Sequence, residues 1–319
     1  MMNLHHTRNL CLALLLGGTF LEVLNAQTIT TFQVPQAAPA TSGSLSVSSI
    51  NKSGIIAGYL LDTSGNLKGW RRSVNGTITL LVDPLDTGTP TATAVYGIAN
   101  NGTMVGYYYD TAAGIYNGYF HTGSGIWQTY SVPDQPAGTD TIVGGINSQP
   151  DQFCGALLPP PYSTYSAFLS IGGTVTIFGM EGSSDTQCDG LNDSGDTVGF
   201  YTDSAGVDHG WLRTSDGTIT TIDVPTASTS AGTAPCAGTV GGTAVNGIND
   251  KGFISGHYWD KHFNEHGFIR TPAGKFITVN VPGAFQTGGG GLNSAGIMVG
   301  HYSDSSCNNS GYIYTPPTE

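Results

Sequence analysis

A chain of 319 residues with 39% hydrophobic and only 10% charged residues can bury a sizeable core, and that balance excludes a disordered chain. Its formal charge of -12 repels phosphate backbones and anionic lipid, which argues against nucleic acid as a partner. The 47 glycines, spread between short apolar runs, point to many tight turns and an all-β fold.

The N-terminus has the pattern of a secretory signal. His5, His6 and Arg8 make a polar start, an apolar stretch runs from Leu10 to Leu21, and Leu24-Asn25-Ala26 offers a small residue before Gln27. Residues 1–26 are therefore expected to direct export, to the periplasm or out of the cell. The apolar run is short of the ~20 residues needed to span a bilayer, and no later segment could span as a helix, so no membrane insertion is expected once the signal is removed.

The first mature element is an orphan. Thr28 to Pro35 alternates and ends in Pro, like the last strand of a unit whose earlier strands are missing. Then a repeat begins. Ser49-Ile50 to Gly58-Tyr59 recurs as Gly97-Ile98 to Gly106-Tyr107, Gly190-Leu191 to Gly199-Phe200, Gly247-Ile248 to Gly256-His257 and Gly291-Leu292 to Gly300-His301. A sixth copy, Gly145-Ile146 to Gly155-Ala156, carries one extra residue. Starts at 49, 97, 145, 190, 247 and 291 give spacings of 48, 48, 45, 57 and 44.

Each copy divides into four strands, a to d. Strand a ends in Gly-Ile-Asn or a variant, followed by a turn such as Asn192-Asp193-Ser194-Gly195, whose residues tolerate positive φ. Strand b carries the second glycine and an aromatic or His. Strand c pairs a small residue with an aromatic: Gly69-Trp70, Gly118-Tyr119, Ala167-Phe168, Gly210-Trp211, Gly267-Phe268 and Gly311-Tyr312. Strand d alternates and usually ends in Pro, as in Thr221 to Pro225.

Four antiparallel strands in roughly 45 residues is the size of a propeller blade. The last copy stops at strand c, at Gly311-Tyr312-Ile313-Tyr314, and the orphan strand near Thr28 can complete it. A six-bladed β-propeller over residues 27–319, its last blade closed by residues 28–35, is the expected fold.

At strand c the chain resembles a known family. His209-Gly210-Trp211 and His266-Gly267-Phe268, with the Gly-Ile-Asn-Asp turn and the Val-Gly-Tyr-Tyr strand, are similar to the bacterial extracellular repeat family called HAF, named for a His-Ala-Phe element. The resemblance covers nearly the whole mature chain and implies an exported protein; it brings no catalytic residues. Four copies depart from it, holding Lys68, Asn117, Ser166 and Ser310 in place of His.

Four cysteines follow the signal. Cys154 falls on strand b of the third blade and Cys188 on strand a of the fourth, so they can meet across a blade interface. Cys236 and Cys307 fall in loops of one face, and the expected pairs are 154–188 and 236–307.

No nucleophile elbow, zinc spacing or cofactor motif is present, so no metal or cofactor is expected. Asp62, Asp110, Asp203, Asp260 and Asp304 lie four residues after the second glycine of their copies and read as Asx-turns, too widely spaced around a ring to share one ion. His257 and His301 replace aromatics at a recurring position and read first as structural.

In this strand order the short a-b and c-d turns share one face, and the longer b-c and d-a loops share the other. Insertions on one face of a repeat fold mark its binding face. Tyr109, Tyr116, Tyr162, Tyr165, Trp259, His262 and Phe263 lie there and are the candidate ligand contacts, with Trp259, Tyr162 and Tyr165 expected as the leading anchors. The expected function is a non-enzymatic binding module for an extracellular glycan, surface component or protein. The alternative is a propeller lyase or hydrolase with its site at the same end of the channel.

Overall fold

Each repeat folds into an antiparallel sheet, four-stranded within the repeat in the first five, because each glycine-rich turn reverses the chain after four to seven residues. A computed structural model describes residues 27–35, 37–38, 44–149 and 151–317; the expected signal at 1–26 lies outside them. The first blade comprises Leu45–Ile50, Ile56–Leu61, Leu67–Arg72 and Ile78–Leu81. The second comprises Thr93–Ile98, Met104–Asp110, Ile115–His121 and Trp127–Tyr130. The third comprises Asp140–Ile146, Gln152–Leu158, Ser166–Ile171 and Thr174–Phe178. The fourth comprises Asp185–Leu191, Thr197–Thr202, Asp208–Arg213 and Ile219–Ile222. The fifth comprises Thr243–Ile248, Ile254–Trp259, Glu265–Arg270 and Phe276–Val279.

The sixth blade is closed from the other end of the chain. Gln286–Leu292, Met298–Ser303 and Asn309–Thr315 are completed by Thr28–Phe32, which runs antiparallel to Asn309–Thr315 with Thr28 opposite Thr315 and Phe32 opposite Gly311. The Phe32 ring lies where a side chain on Gly311 would be and meets Trp70 of the first blade edge-on at 6.2 Å. One strand thus completes a sheet and seals the seam between last and first blades. The six-bladed β-propeller expected from the repeats is the fold.

The repeated residues are explained by this packing. Strand a of every blade is innermost and lines a central channel. The second glycine lets strand c's aromatic lie against strands a and b: a Cβ on Gly106 would sit 1.9 Å from the Ala94 oxygen. Those aromatics, Trp70, Tyr119, Phe168, Trp211, Phe268 and Tyr312, are all 0% exposed and form the blade cores. The first glycine sits where inner strands crowd the axis: a Cβ on Gly247 would meet the Gly291 Cα at 2.9 Å.

The a-b turns join the blades into a ring. Asn51, Asn147, Asn192, Asn249 and Asn293 each accept backbone N–H groups of their own turn through Oδ1 and donate through Nδ2 to a carbonyl of the next blade. The circle closes where Asn293 donates to the Asn51 oxygen at 3.3 Å. The second blade has Ala99 in this slot, although its carbonyl still receives Asn51.

The other recurring side chains also have structural partners. Asp62, Asp110, Asp203, Asp260 and Asp304 accept loop amides in Asx-turns. The strand c histidines reinforce two of these turns. His209 lies 3.4 Å from Asp203 and 3.0 Å from Asp223, and His266 lies 3.4 Å from Asp260 and 2.9 Å from Asn280. Lys68 makes the equivalent link to Asp62 at 2.7 Å. A group at this position ties the b-c turn, which is why Lys can replace the His of the motif.

Both expected disulfides form. Cys154–Cys188 joins the third and fourth blades, with Cα atoms 5.7 Å apart, deep in the core. Cys236–Cys307, at 5.4 Å, ties the long loop before the fifth blade to the b-c loop of the sixth. That long loop folds into a small hairpin, Gly232–Ala234 with Gly238–Val240.

Candidate functional site

One residue before the first glycine, strand a departs from regular pairing. Register shifts between Val47 and Ser49, Val95 and Gly97, Val143 and Gly145, Cys188 and Gly190, and Val245 and Gly247 leave one residue unpaired in each blade. A bulge of this kind re-aims a side chain. The residues so placed are Ser48, Tyr96, Gly144, Asp189 and Asn246, with Gly290 in the corresponding column of the sixth blade. A second column, following the second glycine on strand b, holds Tyr59, Tyr107, Ala156, Phe200, His257 and His301. The backbone repeats six times, but neither column does.

Most of these residues bound a cavity of about 370 Å³ inside the channel, on the side of the b-c and d-a loops; Tyr59, Tyr96, Asp189, Asn246, His257 and His301 are among its walls, and Tyr107 stands behind Tyr96. Asp189 also borders a smaller hollow at the a-b turns, so it stands at the narrowing between the two ends.

One wall is a line of tyrosines. Ring centroids run Tyr59 to Tyr96 at 5.4 Å, Tyr96 to Tyr107 at 5.8 Å, Tyr107 to Tyr116 at 5.1 Å and Tyr116 to Tyr109 at 5.0 Å. The line leads from the loop face, where Tyr109 and Tyr116 begin the b-c loop, down to Tyr96 beside the axis. Burial raises the Tyr96 and Tyr107 phenols well above their usual range, so both remain neutral donors.

The opposite wall is ionisable. His257 Nδ1 lies 3.0 Å from Asn246 Oδ1, and burial lowers this imidazole to about 4. His301 is lowered to about 4 by burial and by His257. Its Nε2 is 3.7 Å from Glu265, and both side chains crowd onto Gly288, where a Cβ would meet them at 2.4–2.6 Å. Burial pushes Glu265 up to about 8. At neutral pH this corner therefore holds uncharged imidazoles beside a protonated carboxylic acid. Asp189 is pushed up to about 7, by burial first and then by the nearby Asp185. Among the described residues no three His, Cys, Asp or Glu side chains are grouped to hold a metal ion.

The expected contacts divide in two. Tyr109, Tyr116 and Tyr165 are half-buried and stand around the channel mouth with Asp140 and Asp185. Trp259, Phe263 and Tyr162 instead hold loops. Trp259 is 6% exposed, and its main chain pairs with Gly242 and Ser228 of the long insertion. The Phe263 ring lies flat on Gly232 of the hairpin. Tyr162, although exposed, donates its hydroxyl to the Gly138 oxygen at 2.8 Å. Trp259 as leading anchor is thus corrected: its area is spent on the protein's own insertion. His262 is exposed on its turn.

Sequence reasoning missed Tyr59, Tyr96, Tyr107 and Asp189 as site residues and gave His257 and His301 only a structural role. Aligning the copies column by column would have found them, because these two columns vary beside glycines that recur.

No known family model matches the chain, and no curated protein is similar to it in sequence. Solved structures are similar in fold. Aleuria aurantia lectin, described as a six-bladed β-propeller with a novel mode of fucose recognition, is 10% identical with a TM-score of 0.50, covering 90% of this chain and 98% of that one. AofleA from Arthrobotrys oligospora is 9% identical with a TM-score of 0.51, covering 92% and 88%. Virginiamycin B lyase from Staphylococcus aureus is 14% identical with a TM-score of 0.46, covering 91% and 88%. At these identities the likeness is one of architecture.

Proposed function

We propose that this protein is an exported binding module that receives the end of a glycan in its central channel, through the loop face. The carrying observation is the line of five tyrosines leading to a cavity whose walls mix aromatic rings with polar groups. Aromatic faces match the apolar faces of sugar rings, and the His, Asn, Ser and Asp groups opposite match hydroxyls. A volume of about 370 Å³ falls within the range of small-ligand pockets, roughly 300–1,000 Å³. Aleuria aurantia lectin recognises fucose, but the reading for this chain rests on its own cavity. Two disulfides, the signal-like N-terminus and the HAF-like repeat support an exported protein.

A glycan array followed by titration tests this. Tyr96→Ala should weaken the best ligand at least about tenfold, as for a buried aromatic anchor. Unchanged affinity would overturn the channel as the site.

A second reading has its own support. Uncharged His257 and protonated Glu265 are a base and an acid in their working forms at neutral pH, as a lyase or hydrolase requires. Turnover of a screened substrate, lost in His257→Ala, would replace binding with catalysis.

A further inference from the structure

Two carboxylates of the fourth blade's inner strand each keep one oxygen that the fold does not use. Asp189 Oδ2 and Asp185 Oδ1 are buried and find no hydrogen-bond partner in the protein. A buried carboxylate oxygen left unpaired is costly, and the protein holds Asp189 firmly: Cys188, its neighbour, is bonded to Cys154 of the preceding blade. The bulge between Cys188 and Gly190 turns Asp189 to the axis, where its charge bears on the Tyr96 phenol. Asp185 lies nearer the mouth, close to Tyr165, and is braced by Gln187 at 2.8 Å. The two acids lie four steps apart along the strand, or about 13 Å at ~3.3 Å per residue.

We propose that the ligand is a chain of amino sugars carrying protonated amines, with one ammonium seated against Asp189 deep in the channel and another against Asp185 near the mouth. This rests on the channel being a glycan site. Three observations favour the amine. Carboxylates facing tyrosine rings make an ammonium site, combining ion pairing with cation–π attraction. Among the described residues no lysine or arginine lines the cavity, so an acidic sugar would find no fixed cation to pair with, and a neutral one would leave both acids uncompensated. A metal ion would want several oxygen ligands, and the described residues group no three His, Cys, Asp or Glu side chains to supply them.

The test is calorimetric titration of residues 27–319, disulfides intact, at pH 7, with four probes: a glucosamine tetramer, its N-acetylated counterpart, spermine and calcium chloride. The glucosamine tetramer should bind at least about tenfold more tightly than the acetylated one. Asp189→Asn should erase most of that gap while melting no lower than the parent, since it removes an unpaired buried acid. Equal affinity for the two tetramers, or a gap that survives in Asp189→Asn, overturns the amine and leaves the glycan reading standing. Spermine binding without either tetramer overturns the sugar. Calcium binding lost in Asp189→Asn overturns the ammonium in favour of a metal. Binding of none of the four overturns this inference and leaves the glycan reading to be decided by the array.

Discussion

The two ends of the channel are built on the same six strands and treat them in opposite ways. At the a-b turns, five asparagines make the same bonds in blade after blade, and each carboxamide is paired. At the loop end no two blades present the same pair of channel residues, and Asp185, Asp189, Gln286 and Ser303 keep buried polar atoms without partners. Repetition serves closure, which needs identical contacts around a ring. Divergence, together with unpaired polar groups, costs stability, and on the proposed function it is retained where the ligand would be met.

The largest effect should come from breaking closure itself. Deleting residues 27–35 removes Phe32 and Val34 and bares the edge of Asn309–Thr315. The loss is roughly 3–6 kcal/mol, comparable with a typical total stability. A deletion variant that melts like the parent would show that the ring holds without its seam.

The ionisable end should respond to pH in a defined direction. Glu265 binds its proton more tightly folded, at about 8, than its ordinary value of 4.5. Its folded-state cost is therefore absent below pH 4.5 and grows as pH rises towards 8. Glu265→Gln should leave melting at pH 4 unchanged and stabilise at pH 9, by roughly 2–4 kcal/mol. Stabilisation equal at both pH values would mean that the acid is not strained by burial.

The paired end should behave as ordinary structure. Asn249 bonds the amides of Lys251 and Phe253 and the Asn293 carbonyl. Asn249→Ala should cost about 1–3 kcal/mol in denaturant unfolding and leave ligand affinity unchanged. A loss of affinity matching that of Tyr96→Ala would erase the distinction between the two ends.

Much of this was legible before any coordinates. Copies spaced 44 to 57 residues apart, each with two glycines and an aromatic, dictate four-stranded blades. Cys154 and Cys188 could be paired because their places in neighbouring blades follow from the register. The Asp of each b-c turn reads as an Asx-turn from spacing alone. Trp259 misled because exposure was assigned from loop position, whereas the insertion folds back over it. The hairpin at Gly232 is three residues a side and leaves too short a pattern to read.

The sequence by itself determined the number of blades, their strand order, the closure by residues 28–35 and the two disulfides, because all of these follow from a local pattern repeated with its ends offset. Only the tertiary structure decided which side chains meet in the channel. Alternation along the inner strands already puts Tyr96 and Asp189 on the face of Ala94 and Gln187, but that this face lines a channel follows only from six inner strands closing on one axis. Their company there comes from different blades, brought within reach only when the ring closes.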